Sequence, residues 1–183
     1  MNVITICGSL RKGSYNRMVM NTLPSVAPAG MKFTELGGLD KFPHYNTDLH
    51  ADGKFPEVVT HFADQIRAAD AVIINSPEYN YTIPGAFKNA IDWVSRLKDQ
   101  PFKDKPVALQ SASGGPLGGA RMQYHMRQMF VFLGAFVFNT PEIFVGTAQN
   151  KFNDKGELTD EATRDFLKKQ LEAFAKFVER VKA

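Results

Sequence analysis

The sequence predicts an α/β fold, an open parallel sheet wrapped by helices on both faces. Three observations carry this. Apolar runs of strand length recur along the chain, and several are apolar without interruption, as strands covered on both faces are. The stretches between them space their apolar residues at helical intervals. Strand and helix then alternate, and the simplest packing of that alternation is a layered parallel sheet.

Taken in order, the strand signals are 2–7 "NVITIC", 31–36 "MKFTEL", 71–75 "AVIIN", 106–110 "PVALQ" and 135–138 "AFVF". A first, shorter helix follows Asn16 through Met20, Leu23 and Val26 and is expected to end near Pro24–Pro28. Val58, Val59, Phe62, Ala63, Ile66 and Ala69 form a second stripe, with Pro56 at its start. Phe87, Ala90, Ile91, Val94 and Leu97 form a third; Met122, Met126, Met129 and Leu133 a fourth. Leu167, Leu171, Phe174, Val178 and Val181 complete the chain. Five strands suit a flavodoxin-like, doubly wound sheet of order 2-1-3-4-5. No repeat or linker divides the chain, so residues 1–183 are read as one domain. Residues 37–55 are too polar and turn-rich for a strand and are expected to form a surface loop over the ligand side. In such sheets ligands sit outside the carboxyl ends of the strands where strand order reverses, which nominates the loops after strands 1, 3 and 4.

Bulk composition excludes several classes. With 22 basic and 19 acidic residues, a net charge of +3 is too small and dispersed for nucleic-acid binding, though it suits an anionic small molecule. No apolar run reaches the roughly 20 residues needed to span a bilayer, so no membrane role is expected. Cys7 is the one cysteine, set within an apolar run. It reads as a buried, reduced thiol of a cytoplasmic protein without a signal peptide, and not as a nucleophile.

The first nominated loop is "GSLRKGSYN", residues 8–16. Gly8 ends the strand and the loop feeds a helix whose first amides have no intrahelical acceptor, an anion site in itself. Ser9, Ser14 and Asn16 add short donors, and Arg11 adds a planar cation suited to phosphate oxygens. The spacing G-x-x-x-x-G lacks the lysine and the metal-binding hydroxyl of a triphosphate loop, and G-x-G-x-x-G is absent. A terminal monophosphate is therefore the better ligand. The plainer alternative makes Ser14 or Asn16 a helix cap and Arg11 a solvated side chain.

The second loop, "SPEYNYTIPG" over residues 76–85, is restricted by Pro77 and Pro84 and offers aromatic side chains beside exposed amides. It could seat the edge of a flat heteroaromatic ring, with Tyr79 or Tyr81 alongside. The third, "QSASGGPLGGAR", brings Gly114 and Gly115 for close backbone approach and Ser113 as a donor. Either segment alone also reads as a turn or a flexible connection. Together, at the three positions the fold nominates, they converge on one ligand.

The motifs "GSLRKGSYN", "PEYNYTIPGAFKNAIDW" and "SGGPLGGAR", in this order, resemble the NADPH-dependent FMN reductase family of flavodoxin-like proteins, and its bacterial quinone/chromate reductase branch in particular. The likeness extends over "GGARMQYHMRQ" and "NTPEIFVGTAQNKF". It implies that Ser9, Leu10, Arg11, Ser14, Tyr15 and Asn16 surround the FMN phosphate and ribityl chain. Pro77, Glu78, Tyr79, Asn80 and Tyr81 would line the isoalloxazine, and Ser113, Gly114 and Gly115 its pyrimidine side.

The expected reaction is a two-step, ping-pong exchange. NADPH or NADH gives hydride to the flavin and leaves, and a small-molecule acceptor then takes the electrons. A flat, open flavin suits quinones and azo or nitro aromatics, and the family implies chromate as a further acceptor. The cofactor carries this chemistry, so no catalytic acid–base pair is required. Glu78 lacks a partner histidine or second acid and reads as a structural contact. His44, His50, His61 and His125 have no metal-ligand spacing. The apolar residues of 122–138 exceed one stripe, so a self-association face is weighed against plain core. The family favours a dimer or a dimer of dimers, with Arg121, Tyr124 and Glu142 as polar contacts. A one-electron carrier of the flavodoxin type is the rival; its usual acidic charge and Thr-rich loop are missing here.

Overall fold

The computed structural model describes residues 1–182. Its strands are β1 (Asn2–Cys7), β2 (Lys32–Glu35), β3 (Ala71–Asn75), β4 (Pro106–Ala112), β5 (Phe136–Val137) and β6 (Ile143–Val145). All pair in parallel, in the order β2-β1-β3-β4-β5, as the sequence predicts. One strand differs. β5 reaches only Pro106 and Val107, while β6 lies beside Gln110–Ala112, so the fifth lane is broken in two. Pro141 stands in the break, and a residue without an N–H cannot continue the ladder. The three-residue run of β6 is too short to announce itself by periodicity.

The helices are α1 (Tyr15–Val26), α2 (Glu57–Ala68), α3 (Gly85–Val94), α4 (Ala120–Phe132) and α5 (Glu161–Lys182). Alternate strand residues face opposite layers. Ile4, Ile6, Val72, Ile74, Val107 and Leu109 pack under α2, α3 and α4. Val3, Ala71, Ile73, Ala108 and Ala112 pack under α1 and α5. Being buried on both sides is why β1, β3 and β4 read as unbroken apolar runs. Pro24 lies inside α1, in its last turn, and the helix ends at Val26.

In two segments the structure adds to the expectation. Residues 37–55 leave the carboxyl end of β2 as a largely exposed surface segment, and Gly37–Asp40 line a small cavity with Ser9 and Leu10, but the segment is pinned to the body of the fold. Leu39 and Phe42 are buried, Trp93 Nε1 donates to Pro43 O at 2.8 Å, and the Tyr45 amide donates to Asn89 Oδ1 at 2.8 Å. The segment is a packed cover over α2 and α3; its apolar residues are too irregularly spaced to show this in sequence. In α4, Met122, Met126, Phe130 and Leu133 face the core, so the methionine stripe belongs to the sheet layer. Val131 and Phe132, 79% and 81% exposed, lie outside, as does Tyr124. No described helix is long and apolar enough to cross a membrane.

Because β1, β3 and β4 are adjacent and parallel, the chain segments leaving their carboxyl ends emerge side by side on one rim.

Candidate functional site

The β1 turn begins where the Gly8 amide donates to Asn75 O at 2.9 Å. A Cβ at Gly8 would lie 2.3 Å from Ser76 Oγ, so only glycine lets β1 and β3 deliver their turns this close together. Ser14 takes the N-cap position of α1 in extended conformation, yet its side chain makes no cap bond. The first helical bond is from the Met18 amide to Ser14 O. Among the described residues, the N–H groups of Lys12, Gly13, Ser14, Tyr15, Asn16 and Arg17 meet no acceptor. Six donors are therefore left unpaired between an exposed turn, Leu10–Gly13, and the first residues of α1, at the positive end of a helix dipole. The Ser9 and Ser14 side chains are buried beside them, while Leu10 and Arg11 are exposed. The Arg11 guanidinium lies 5.5 Å from the centre of the Tyr15 ring.

Asn16 behaves differently from the other polar residues of this turn. Its Nδ2 donates to Ala112 O at 2.9 Å and its Oδ1 accepts from the Ala112 amide at 2.8 Å. The buried side chain ties α1 to the end of β4, so Asn16 offers the site its backbone N–H and not its amide group.

The β3 turn is held in an unusual conformation. The Tyr79 amide donates to Thr82 O at 3.1 Å and the Thr82 amide to Tyr79 O at 3.0 Å. Between them Asn80 and Tyr81 have φ of 49° and 69°. Left-handed backbone at both central positions is the pattern of a type I′ turn, tolerable for asparagine and costly for tyrosine. The N–H groups of Glu78, Asn80 and Tyr81 have no acceptor among the described residues. Pro77 is buried, and the rings of Tyr79 and Tyr81 are 47% and 65% exposed. Tyr79 OH lies 3.4 Å from Ser9 Oγ, joining this turn to the first.

Glu78 is structural, as read from the sequence. Its carboxylate accepts from Arg121 Nε at 2.6 Å and from the Met122 amide at 3.2 Å. Gly119, the N-cap of α4, has no side chain to cap with, and Glu78 supplies the missing acceptor from another loop. Arg121 also lies over the Tyr81 ring, 3.5 Å from its centre, and His125 Nδ1 is 2.9 Å from Thr82 Oγ1. The sequence assigned Arg121 to a subunit contact and gave no role to Thr82 or His125. The one available signal was Gly119, which marks a helix start in need of an outside acceptor. Of the other two suggested contact residues, Tyr124 OH donates to Glu142 at 3.1 Å within the chain.

The β4 turn is anchored by the Ser113 amide, which donates to Val145 O at 3.0 Å, and by the Thr147 amide, which donates to Gly115 O at 3.1 Å. Ser113 Oγ donates to Gly115 O at 3.2 Å. Gly114 and Gly115 are exposed, and their N–H groups have no acceptor among the described residues. Beneath the rim, Asn75 Nδ2 donates to Gln110 Oε1 at 2.6 Å and Gln110 Nε2 to Gln170 Oε1 at 2.7 Å, a buried amide chain that braces β3, β4 and α5.

The three turns form an open shelf. A cavity of about 610 Å³ lies elsewhere, between the end of β2 and α2. A smaller one of about 200 Å³ reaches Ser9 and Leu10 from that side. Unpaired main-chain donors, not an enclosed cavity, mark the three turns. Burial pushes the Cys7 thiol above its ordinary pKa, which leaves it protonated and unreactive. The donor set fits FMN: anion-seeking amides, two hydroxyls and an arginine for a phosphate, then a second row of amides with exposed aromatic rings for a flat head.

The chain is similar to known proteins over most or all of its length. Residues 1–150 match the family described as NADPH-dependent FMN reductase. A quinone reductase of Escherichia coli strain K12 is 51% identical over 183 residues, covering all of this chain and 97% of the relative. An NAD(P)H-dependent FMN reductase of Pseudomonas aeruginosa is 45% identical over 182 residues, covering 100% and 97%. Among solved structures, the flavoenzyme NAD(P)H:acceptor oxidoreductase FerB of Paracoccus denitrificans superposes with a TM-score of 0.87. It is 36% identical, over 98% of this chain and 97% of FerB. The chain belongs to the NADPH-dependent FMN reductase family.

Proposed function

We propose that this protein is an FMN-containing NAD(P)H:quinone reductase working by alternating half-reactions. The observation that carries the reading is the run of unpaired main-chain donors along three neighbouring turns. When bound, FMN supplies the redox chemistry, taking hydride equivalents from a nicotinamide and handing them to the acceptor. The chain's own task is binding and orientation.

The amides of residues 12–17, with Ser9, Ser14 and Arg11, hold the phosphate against the start of α1. The amides of Glu78, Asn80 and Tyr81 meet one edge of the ring and those of Gly114 and Gly115 the other. The Glu78 carboxylate accepts from Arg121 and the Met122 amide, and so fixes its loop against α4. The exposed rings of Tyr79 and Tyr81 border a face open to flat acceptors, which is why azo and nitro aromatics join quinones as substrates. Chromate-type anions fit the same open face and the positive charge balance. Val131, Phe132 and Phe136, with Tyr124, form the exposed apolar surface through which the chain self-associates.

The test is the visible spectrum of the purified protein. It should show bound flavin that NADPH or NADH bleaches and a quinone restores. Failure to take up FMN, or NAD(P)H oxidation without quinone loss, overturns the reading. Arg11→Ala addresses the phosphate directly. It should weaken FMN about tenfold or more while leaving riboflavin affinity unchanged, because a charge-assisted bond of roughly 1.5–3 kcal/mol is lost only where a phosphate is present.

A further inference from the structure

Resting on the FMN reading above, we propose that Arg121 is a positioning residue for the flavin head. With Glu78 it holds the Asn80–Tyr81 turn left-handed and so sets both the affinity for FMN and its reduction potential. Arg121 makes no direct claim on a ligand. It acts through the turn whose free amides face the ring.

The turn is strained and needs outside restraint. Tyr81 at φ 69° carries a bulky side chain in a region such residues avoid. Its two internal hydrogen bonds close the loop but do not orient it. Orientation comes from α4. Arg121 grips the Glu78 carboxylate just before the turn, and its guanidinium covers the Tyr81 ring within the turn. One helical turn on, His125 meets Thr82 just after it. The residues before, inside and after the turn are thus bound to one helix. The helix is rigidly seated in turn: a Cβ at Gly119 would lie 2.9 Å from the Ser111 Cβ on β4. The Glu78 side chain is 8% exposed and that of Arg121 38%, so the carboxylate end of the grip is dry and its geometry is well defined.

Amide donors aimed at the ring stabilise the reduced, more electron-rich flavin over the oxidised form. A turn free to swing away loses that preference, and the potential falls as the affinity falls. A purely electrostatic role predicts something else. Removing the Arg121 cation and removing the Glu78 anion change the local field in opposite directions, so their effects on the potential would have opposite signs.

The experiment uses full-length protein, deflavinated and reloaded, as wild type, Arg121→Met, Arg121→Lys and Glu78→Gln. FMN affinity is read by titration and midpoint potential by equilibration with a reference dye. Positioning predicts that all three variants bind FMN about tenfold or more weakly and that all three shift the potential to more negative values. Lys keeps the charge but cannot reproduce the two-pronged grip. Potentials that move in opposite directions for Arg121→Met and Glu78→Gln, or variants indistinguishable from wild type, overturn the proposal. If Arg121→Met does not fold by circular dichroism, Arg121→Lys against Glu78→Gln decides in its place. A wild-type protein that takes up no FMN defeats the functional reading itself, a result distinct from either of these.

Discussion

Gly8 shows how much of this site depends on single atoms. A methyl group there would sit 2.3 Å from Ser76 Oγ, 2.8 Å from Ser76 Cβ and 3.2 Å from Ser76 Cα, where Gly8 and Ser76 each directly follow a central strand. Neither strand can move without disturbing the other. Gly8→Ala should therefore cost about 1–3 kcal/mol by overpacking and also splay the first two turns. A lower urea midpoint together with weaker FMN binding would bear this out. Gly146 is a second such position, its hypothetical Cβ 2.3 Å from Pro116 O beneath the glycine-rich turn. The sequence marked Gly8 as a strand end with freedom of backbone. It could not reveal that the true constraint is the proximity of Ser76, because the two lie far apart along the chain.

At the scale of elements, the ties between loops decide what each polar residue does. Asn16 was read as a donor to the phosphate, yet both polar atoms of its side chain go to Ala112 on β4. Removing them leaves a buried N–H and C=O unpaired, so Asn16→Ala should lower stability by about 2–4 kcal/mol. Chemical denaturation would read this as a shift in midpoint with the slope unchanged. Helix starts tell a similar story. α5 is capped locally, with the Thr163 amide donating to Asp160 Oδ1, three residues back, at 2.9 Å. α4 is capped by Glu78 from 44 residues away, and nothing local announces it. Strands β1, β3 and β4 were legible because burial on both faces leaves a continuous apolar run. The 37–55 cover was not, because it packs through scattered side chains such as Leu39 and Phe42 that share no period.

For the whole molecule, one sheet separates two apolar clusters, with α2, α3 and α4 on one side and α1 and α5 on the other. Since every central strand serves both clusters, unfolding should be a single cooperative transition, the same by circular dichroism and by tryptophan fluorescence from the buried Trp93. Acid should erode stability through Asp70 and Asp160. Lys182 and the Asn2 amide hold the Asp70 carboxyl below its ordinary value, and Thr163 does the same for Asp160. A carboxyl with a depressed folded pKa contributes its stabilisation above the unfolded value, about 3.9, and loses it as pH falls through the folded one. Stability attributable to these groups should hold down to about pH 5 and decline below about pH 4. Asp70→Asn should lower the unfolding free energy at pH 7 and flatten the decline in acid, which a denaturation series across pH measures. Both groups are partly exposed, so added salt should shrink the difference.

By itself the sequence determined five of the six strands, the five long helices, their order and the three turns that leave one rim of the sheet. Each of these rests on short-range physics: periodic burial, proline and glycine stereochemistry, and unpaired amides where a helix begins. Tertiary structure decided which side chains of those turns are already taken by partners within the chain. Glu78, Asn16 and Arg121 are polar residues in or beside ligand-facing motifs, and each is bound to a partner between 43 and 96 residues away. A polar side chain's role depends on what the fold brings within hydrogen-bond distance, and a linear spacing does not contain that distance.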